Sequence, residues 1–130
     1  MKPIFMNVDC ISIFVNDLEK GIAFYGDALG LPLLWKTPNA CGLGLEKDVT
    51  EVVLVNKQNP TANFKVESVA TALETFRQAG GTVEYGPFDI DIGKCAVVVD
   101  PWGNRYCLLD MSKGRYTVDE KGDVTGVKPD

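Results

Sequence analysis

The most reactive side-chain type in this sequence is cysteine, which occurs at Cys10, Cys41, Cys95 and Cys107. The sequence contains no histidine, so it lacks the commonest metal ligand and the commonest general base of proteins. The cysteines form no Cys-x-x-Cys pair and no zinc-ribbon spacing, which favours buried free thiols. A nucleophilic cysteine needs a base or cation that lowers its pKa. The only such cation that strand alternation places near a cysteine is Arg105, which shares a strand face with Cys107.

The two tryptophans suit a different chemistry, because an aromatic wall binds planar or cationic ligands. Trp35 lies on a predicted strand, where it either lines a binding surface or fills the core. Trp102 lies in a predicted turn, where it covers a hydrophobic edge or contacts another subunit. The formal net charge of −5 disfavours nucleic acid as a partner and favours a neutral or cationic small molecule.

The elements that would position these residues follow a plan that occurs twice. Residues 10–30 predict a strand and then a helix, and an offset of 51 positions leads to residues 61–81 with the same plan. Asn16 and Asp17 supply the N-cap of the first helix, and Ser68 that of the second. Gly30 and Gly80 end them. The apolar stripes consist of Leu18, Ile22, Tyr25 and Leu29, and of Val69, Leu73 and Phe76.

Each predicted helix is preceded by one strand and followed by three. The predicted strands cover residues 7–15, 33–36, 41–46, 51–56, 61–66, 82–85, 94–100 and 105–110. The late strands align with an offset of 54, so we expect three added residues in a surface loop at 89–92. The plan is βαβββ twice over, which predicts an α+β fold. One domain is expected at 1–111, with module one at about 6–57 and module two at about 60–111. Residues 112–130 are either a polar C-terminal tail or a short hairpin.

A resemblance to a known family rests on two motifs. Residues 100–109, DPWGNRYCLL, resemble the D-P-x-G-N-x-x-E-L ending of the vicinal oxygen chelate superfamily, which includes glyoxalase I, bleomycin-resistance proteins and extradiol dioxygenases. The opening of the chain resembles that family's first strand and helix at Val15, Asp17, Leu18, Phe24 and Tyr25. The resemblance covers roughly residues 6–111. It implies two tandem βαβββ modules that form a curved, cup-like mixed sheet, the glyoxalase/bleomycin resistance/dioxygenase fold.

Metal-using members of that family hold the metal in the cup with histidines and carboxylates. The resemblance places those ligand positions at Cys10, Val53, Thr61 and Cys107, none of which is His, Asp or Glu. A hard divalent metal therefore has no ligands there, and two thiolates fall short of a zinc site. We expect no metal and no cofactor. An error of one residue in register would change this expectation, since Glu46, Glu51 and Asp110 lie near the cup strands.

The resemblance and the residues together predict a metal-free protein that binds or sequesters a neutral or cationic small molecule in the cup, with no catalytic residue. Ser12 and Asn63 share strand faces with Cys10 and Thr61 and can point polar groups inward. The predicted lining is Cys10, Ser12, Trp35, Val53, Thr61, Asn63, Arg105 and Cys107. One alternative is a metal-dependent lyase or oxygenase of the glyoxalase/dioxygenase type with atypical ligands. Another is a scaffold whose own side chains fill the cup.

The sequence and the resemblance also give expectations for the cellular location and the oligomeric state of the protein. No apolar run reaches the roughly 18 residues that a membrane span needs, and the N-terminus does not resemble a signal peptide, so we expect a cytoplasmic protein with no membrane partner. The resemblance implies a homodimer, because modules from different chains commonly complete each cup in that family. Phe5, Phe88 and Ile90 are the candidate dimer contacts.

Overall fold

The computed structural model, which describes residues 2–130, contains ten strands and two α-helices within that range. In chain order the elements are β1 (Asn7–Phe14), α1 (Leu18–Ile22), a π-helical segment (Ala23–Ala28), β2 (Leu33–Lys36), β3 (Ala40–Leu43), β4 (Glu51–Val55), β5 (Ala62–Lys65), α2 (Val69–Gln78), β6 (Thr82–Ile90), β7 (Gly93–Val99), β8 (Arg105–Leu109), β9 (Arg115–Val118) and β10 (Val124–Lys128). No helix within residues 2–130 is both long and apolar enough to cross a membrane.

Eight of the strands form one mixed sheet in the order β2-β3-β4-β1-β5-β8-β7-β6. The first strands of the two modules, β1 and β5, pair antiparallel at its centre. Each of them pairs in parallel with the last strand of its own module, β1 with β4 and β5 with β8. This arrangement confirms the predicted α+β fold of two tandem βαβββ modules. Both halves of the sheet come from one chain.

Both helices pack on the same face of the sheet. Leu54 and Leu108, which are fully buried, belong to the clusters around α1 and α2 respectively. Successive residues of a strand point to opposite faces, so Val53 and Cys107 lie on the other side. We call the face opposite the helices the cup face. Its clusters are Cys10, Val53 and Val55 in module one, and Cys95, Cys107 and Leu109 in module two.

The first helix departs from the sequence prediction, which placed one continuous α-helix before Gly30. Asp17 caps α1 as predicted, because its Oδ1 accepts from the Lys20 N–H at 3.1 Å. After Ile22, however, the chain becomes π-helical, and the Leu29 N–H bonds the carbonyl five residues back at Phe24. This wider turn rotates the end of the stripe, so Leu29 is 56% exposed.

The predicted surface loop at 89–92 is also wrong in part, since β6 extends to Ile90 and only a tight turn joins it to β7. A register shift between Tyr85 and Phe88 carries the strand past Gly86 and Pro87. A proline lacks a backbone N–H and is tolerated here because β6 is the edge strand of the sheet. The predicted strand at 82–85 was therefore too short.

The polar C-terminal residues form a two-stranded antiparallel hairpin of β9 and β10. Its ladder is separate from the main sheet, and an isolated bridge between Lys36 and Asp123 joins the hairpin to the end of β2. At the hairpin tip, Gly122 contacts the Leu33 side chain. The hairpin therefore lies against the outer edge of module one.

Candidate functional site

Three predicted site residues form a row across the centre of the cup face. The ladder places Asn63 of β5 opposite both Cys10 of β1 and Cys107 of β8. All three are buried, with exposed fractions of 6%, 6% and 5% for Cys10, Asn63 and Cys107. The Asn63 amide donates to Ser12 Oγ at 3.0 Å and to the Thr61 carbonyl at 3.1 Å. The amide therefore fixes the Ser12 hydroxyl beside the row.

The thiols at this row differ in their acidity. The hydrogen bond from Cys95 lowers the pKa of Cys107, burial opposes this, and the charge of Arg105 adds to the lowering. Burial, and then the carboxylate of Asp9, raise the pKa of Cys10 to about 12. The neighbouring Cys107 thiol and burial both raise the pKa of Cys95. Since the thiolate is the nucleophile and metal ligand, Cys10 and Cys95 are poor candidates for either role at neutral pH.

The Trp35 side chain of β2 lies flat on the adjacent strand, β3. A methyl group at Gly42 would overlap the indole Nε1 and its ring neighbours, so the ring occupies the space directly above the Gly42 Cα. The indole Nε1 donates to Glu51 Oε1 at 2.7 Å. The ring of Tyr116, from the C-terminal hairpin, packs against Trp35 with centroids 5.0 Å apart and an interplanar angle of 39°. Trp35 is thus fixed on the cup face by contacts with β3, β4 and the hairpin.

Two carboxylates that the predicted lining omitted belong to this site. Glu51 lies opposite Cys10 in the parallel ladder and on the same face of β4 as Val53. A register shift between Val8 and Cys10 leaves Asp9 without a partner on β5. Asp9 directly precedes Cys10, and its charge raises the pKa of both Cys10 and Glu51. Strand alternation from Val53 was a signal for Glu51, whereas nothing in the sequence marks the bulge at Asp9.

Both carboxylates have a pKa above the ordinary value. For Glu51 burial is the largest cause, the Trp35 hydrogen bond opposes it, and the charge of Asp9 adds to it. For Asp9 burial again dominates, while the attraction of Lys65 opposes it. Within residues 2–130 neither carboxylate forms a salt bridge. The module-one half of the cup face therefore carries negative charge that burial destabilises.

The remaining predicted lining residues lie at different depths. Val53 is buried beside Cys10. Thr61 is exposed and directly precedes β5. Arg105 is exposed at the sheet rim, where its Nε and Nη2 donate to the Glu84 carboxylate at 2.9 and 2.6 Å. Arg105 is thus held by β6, and its charge contributes to the lowered pKa of Cys107.

Two other carboxylates considered from the sequence lie outside this site. Asp110 accepts from the backbone N–H groups of Val69 at 2.8 Å and Lys94 at 3.0 Å, so it joins the start of α2 to β7. Glu46 is exposed in the loop between β3 and β4. Neither is a ligand of the cup.

The side chains do not fit the metal centre that the resemblance implies. Of the four carried-over positions, Val53 has no donor atom, and Thr61 lies apart from the buried row of Cys10, Asn63 and Cys107. No group of three or more His, Cys, Asp or Glu side chains within residues 2–130 is arranged to hold a metal ion. Glu51, the carboxylate beside Cys10, already accepts the Trp35 N–H.

Two cavities lie near these elements. One, of about 550 Å³, is bounded by the end of β2, the β6–β7 turn and the C-terminal hairpin; its lining residues are Lys36, Thr37, Pro38, Asp91, Asp123 and Val124. The other, of about 340 Å³, lies between the N-terminal segment and α2. Neither cavity is lined by a predicted site residue, but the larger one borders the hairpin that covers Trp35.

The fold defines a duplicated βαβββ protein whose mixed sheet carries both helices on one face. The chain belongs to the Glyoxalase/Bleomycin resistance protein/Dioxygenase superfamily, whose profile matches residues 7–108. The resemblance inferred from residues 100–109 and from the first strand and helix is therefore confirmed. No curated protein sequence matches the chain.

Solved structures with the same fold include three enzymes. The chain is similar to methylmalonyl-CoA epimerase from Mycobacterium tuberculosis, with a TM-score of 0.70, 15% identity, and coverage of 85% of this chain and 91% of that one. For homoprotocatechuate 2,3-dioxygenase from Brevibacterium fuscum the TM-score is 0.64 and the identity is 24%, with coverage of 84% of this chain and 37% of that one. For NAD-dependent benzaldehyde dehydrogenase from Legionella pneumophila the TM-score is 0.65 and the identity is 18%, with coverage of 78% of this chain and 97% of that one. At these identities the likeness shows the fold alone.

Proposed function

We propose that this protein binds a small organic cation on the cup face without the help of a metal. The observation that carries the proposal is the contact between the Trp35 indole and the partly buried carboxylate of Glu51. An aromatic face beside a carboxylate is a favourable site for an organic ammonium group, because both attract positive charge. The mechanism is binding alone, through aromatic contact, apolar burial and ion pairing.

The charges of the site support a cation over a neutral ligand. Burial raises the pKa of both Asp9 and Glu51, so each carboxylate is destabilised when it ionises in the empty cup. A bound cation would compensate that charge and lower both pKa values. Binding should therefore release protons, and it should weaken as the pH falls toward the raised pKa of Glu51.

A metal-dependent lyase or oxygenase is the second candidate function. It is favoured by one observation, the position of Glu51 opposite Cys10 on the cup face, which brings one carboxylate and one thiol together. It requires at least one further ligand, and within residues 2–130 no third His, Cys, Asp or Glu completes such a group. We therefore prefer binding.

The test uses phenyltrimethylammonium and its neutral isostere tert-butylbenzene as probes. Trp102→Phe leaves Trp35 as the single tryptophan, since the sequence has two. In that background we expect saturable binding of the cation by calorimetry and by Trp35 fluorescence. The neutral probe should bind about tenfold more weakly, since it lacks the attraction to the carboxylates and the indole face.

Glu51→Gln provides the matched variant, because it keeps an acceptor for the Trp35 N–H but removes the charge. It should weaken binding of the cation about fivefold or more and leave the neutral probe unaffected. Glu46→Gln, at an exposed carboxylate in the β3–β4 loop, is the control and should change neither affinity. Equal affinity for the two probes, or no saturable binding of the cation, would contradict the proposal.

We also propose that the protein is cytoplasmic and forms a homodimer. The side chains first considered for a dimer contact are engaged within the chain: Phe5 stacks on Phe64 at 4.5 Å, and Phe88 and Ile90 pack against the Cys95 cluster. Trp102 is 84% exposed and is the better anchor for a subunit contact. Light scattering should show a dimer that Trp102→Ser weakens, and a monomer in the unaltered protein would refute the proposal.

A further inference from the structure

The C-terminal hairpin contacts both ends of the sheet, at the end of β2 and at the β6–β7 turn. On the side of module one, Tyr116 packs on Trp35, and Asp123 bridges to Lys36. On the side of module two, the Tyr116 hydroxyl donates to Asp91 Oδ2 at 3.0 Å, in the turn between β6 and β7. The hairpin therefore spans from one edge of the sheet to the other, and its central contact is made by one tyrosine.

That contact covers the part of Trp35 that a ligand would use. One side of the indole lies against the Cα of Gly42, where not even a methyl group fits. The Tyr116 ring packs against the indole at 5.0 Å, and the indole N–H is bound to Glu51. A ligand that approaches Trp35 and Glu51 from the cup must therefore compete with the tyrosine ring.

We propose that the hairpin is a gate in which Tyr116 occupies the position of the ligand on Trp35, so that binding requires the hairpin to move away. The proposal rests on the proposed function, since it assumes that Trp35 and Glu51 hold the ligand. It adds Tyr116 and Asp91 to the site and makes the apparent affinity depend on how often the gate is open.

The construction of the hairpin suits a movable element. Strands β9 and β10 pair only with each other and form a sheet of two strands. An isolated two-stranded hairpin is marginally stable, and its attachment here consists of a few contacts at exposed or half-buried residues. Opening the gate thus breaks no part of the eight-stranded ladder.

Space for a displaced or entering group adjoins the gate. The cavity of about 550 Å³ is bounded by the hairpin on one side and by the ends of the sheet on the other. Its lining residues Asp91 and Asp123 are acidic, so an approaching cation meets favourable charge before it reaches Trp35. Lys36, the basic residue of the lining, is already paired with Glu19 at 2.5 Å.

The test compares two variants in the full chain, again with Trp102→Phe. Tyr116→Ala removes the ring over Trp35, and Val118→Ala removes an exposed side chain of the same hairpin as the matched control. Acrylamide quenching of Trp35 fluorescence measures directly how accessible the indole is. Of these two variants, only Tyr116→Ala should show increased quenching. Phenyltrimethylammonium should bind Tyr116→Ala about tenfold more tightly than the parent, as expected if the closed gate is populated about nine-tenths of the time.

A third variant, Tyr116→Phe, keeps the ring and the charge of Asp91 and removes only the hydroxyl that joins them. It should shift quenching and affinity in the same direction by a smaller factor, which a ring that merely packs against Trp35 would not show. Circular dichroism and thermal unfolding of each variant establish that the main sheet is intact.

The possible failures are distinguishable. If Tyr116→Ala binds the cation no more tightly than the parent, the gate is refuted while the proposed function stands. If quenching does not increase in Tyr116→Ala, the cover itself is refuted. If no variant binds the cation although quenching increases, the proposed function fails and competition with a ligand fails with it.

Discussion

At the scale of single residues, the most informative group is Glu51, a carboxylate whose pKa is raised in the folded protein. A group with a raised pKa in the native state contributes stability that is fully present below its unfolded value, here near 4.5, and lost as the pH rises through the folded-state pKa. Ionised Glu51 therefore costs stability at neutral pH. This cost is what a cationic ligand would relieve.

Glu51→Gln should accordingly stabilise the protein at pH 7. The amide oxygen can still accept the Trp35 N–H, while the buried charge is gone. Thermal unfolding should give a higher midpoint for the variant at pH 7 and a smaller difference at about pH 4, where the native carboxylate is protonated as well. A variant that is less stable at pH 7, or a difference that does not shrink in acid, would show that the charge of Glu51 is stabilising.

Gly42 is the residue on which the position of Trp35 depends. Gly42→Ala should destabilise the protein by about 1–3 kcal/mol, because the added methyl group overlaps the indole and forces it off β3. In the Trp102→Phe background the emission of Trp35 should shift to the red as the ring becomes more exposed to water. Gly26→Ala is the control, since a Cβ at Gly26 meets its nearest neighbour at 3.6 Å. An unshifted emission spectrum in Gly42→Ala would count against the described packing.

At the scale of secondary-structure elements, Asp110 connects three parts of module two. Its carboxylate accepts from the N–H groups of Val69 in α2, Lys94 in β7 and Ser112 after β8. Burial opposes its charge, but these hydrogen bonds together lower its pKa. The stability that it contributes is therefore present above the ordinary value of 3.8 and is lost as the pH falls through the lowered folded-state pKa.

Asp110→Ala should cost about 1–3 kcal/mol in urea unfolding, because it leaves buried N–H groups without an acceptor. Asp17→Ala is the comparison, since Asp17 is an exposed cap with one hydrogen bond to the first turn of α1. The effect of Asp110→Ala should be the larger of the two. A smaller effect would mean that water satisfies the freed groups around Asp110.

The elements that could be predicted from the sequence are those determined by interactions between residues close together in the chain. Ser68 caps α2 as expected, and the turn after Asp100 forms as expected, with Asp100 Oδ1 accepting from the Trp102 and Asn104 N–H groups at 2.9 Å. These features depend on a few neighbouring side chains. The π-helical segment after Ile22 and the bulge at Asp9 depend on packing and pairing with distant strands, which the sequence pattern does not reveal.

At the scale of the whole molecule, the duplicated βαβββ plan and the family motif were sufficient for the fold. They were not sufficient for the state of the cup. The sequence placed Trp35 there, but the ring that covers it, Tyr116, is 81 positions further along the chain in a polar segment with two interpretations. The contacts that close the cup are non-local, so neither composition nor periodicity could indicate them.

The donor set of the cup is the basis, at the same scale, for proposing a binding protein over a metal enzyme. Around the buried row of Cys10, Asn63 and Cys107 the structure offers a Cys10 thiol whose pKa is raised, an amide, and a carboxylate bound to an indole. Catalytic zinc sites use three protein ligands and keep one position open. The cup does not supply such a set, which is why binding of an organic cation is the account preferred for this molecule.

The measurement that tests this account most directly is the metal content of the protein, purified without chelator or affinity tag and determined by elemental analysis. The account predicts well below about one-tenth of a metal ion per chain, before and after incubation with Zn²⁺, Mn²⁺, Ni²⁺ and Fe²⁺ followed by desalting. About one tightly held ion per chain, lost on Glu51→Gln or on Cys10→Ser, would contradict it and identify the cup as a metal centre with atypical ligands.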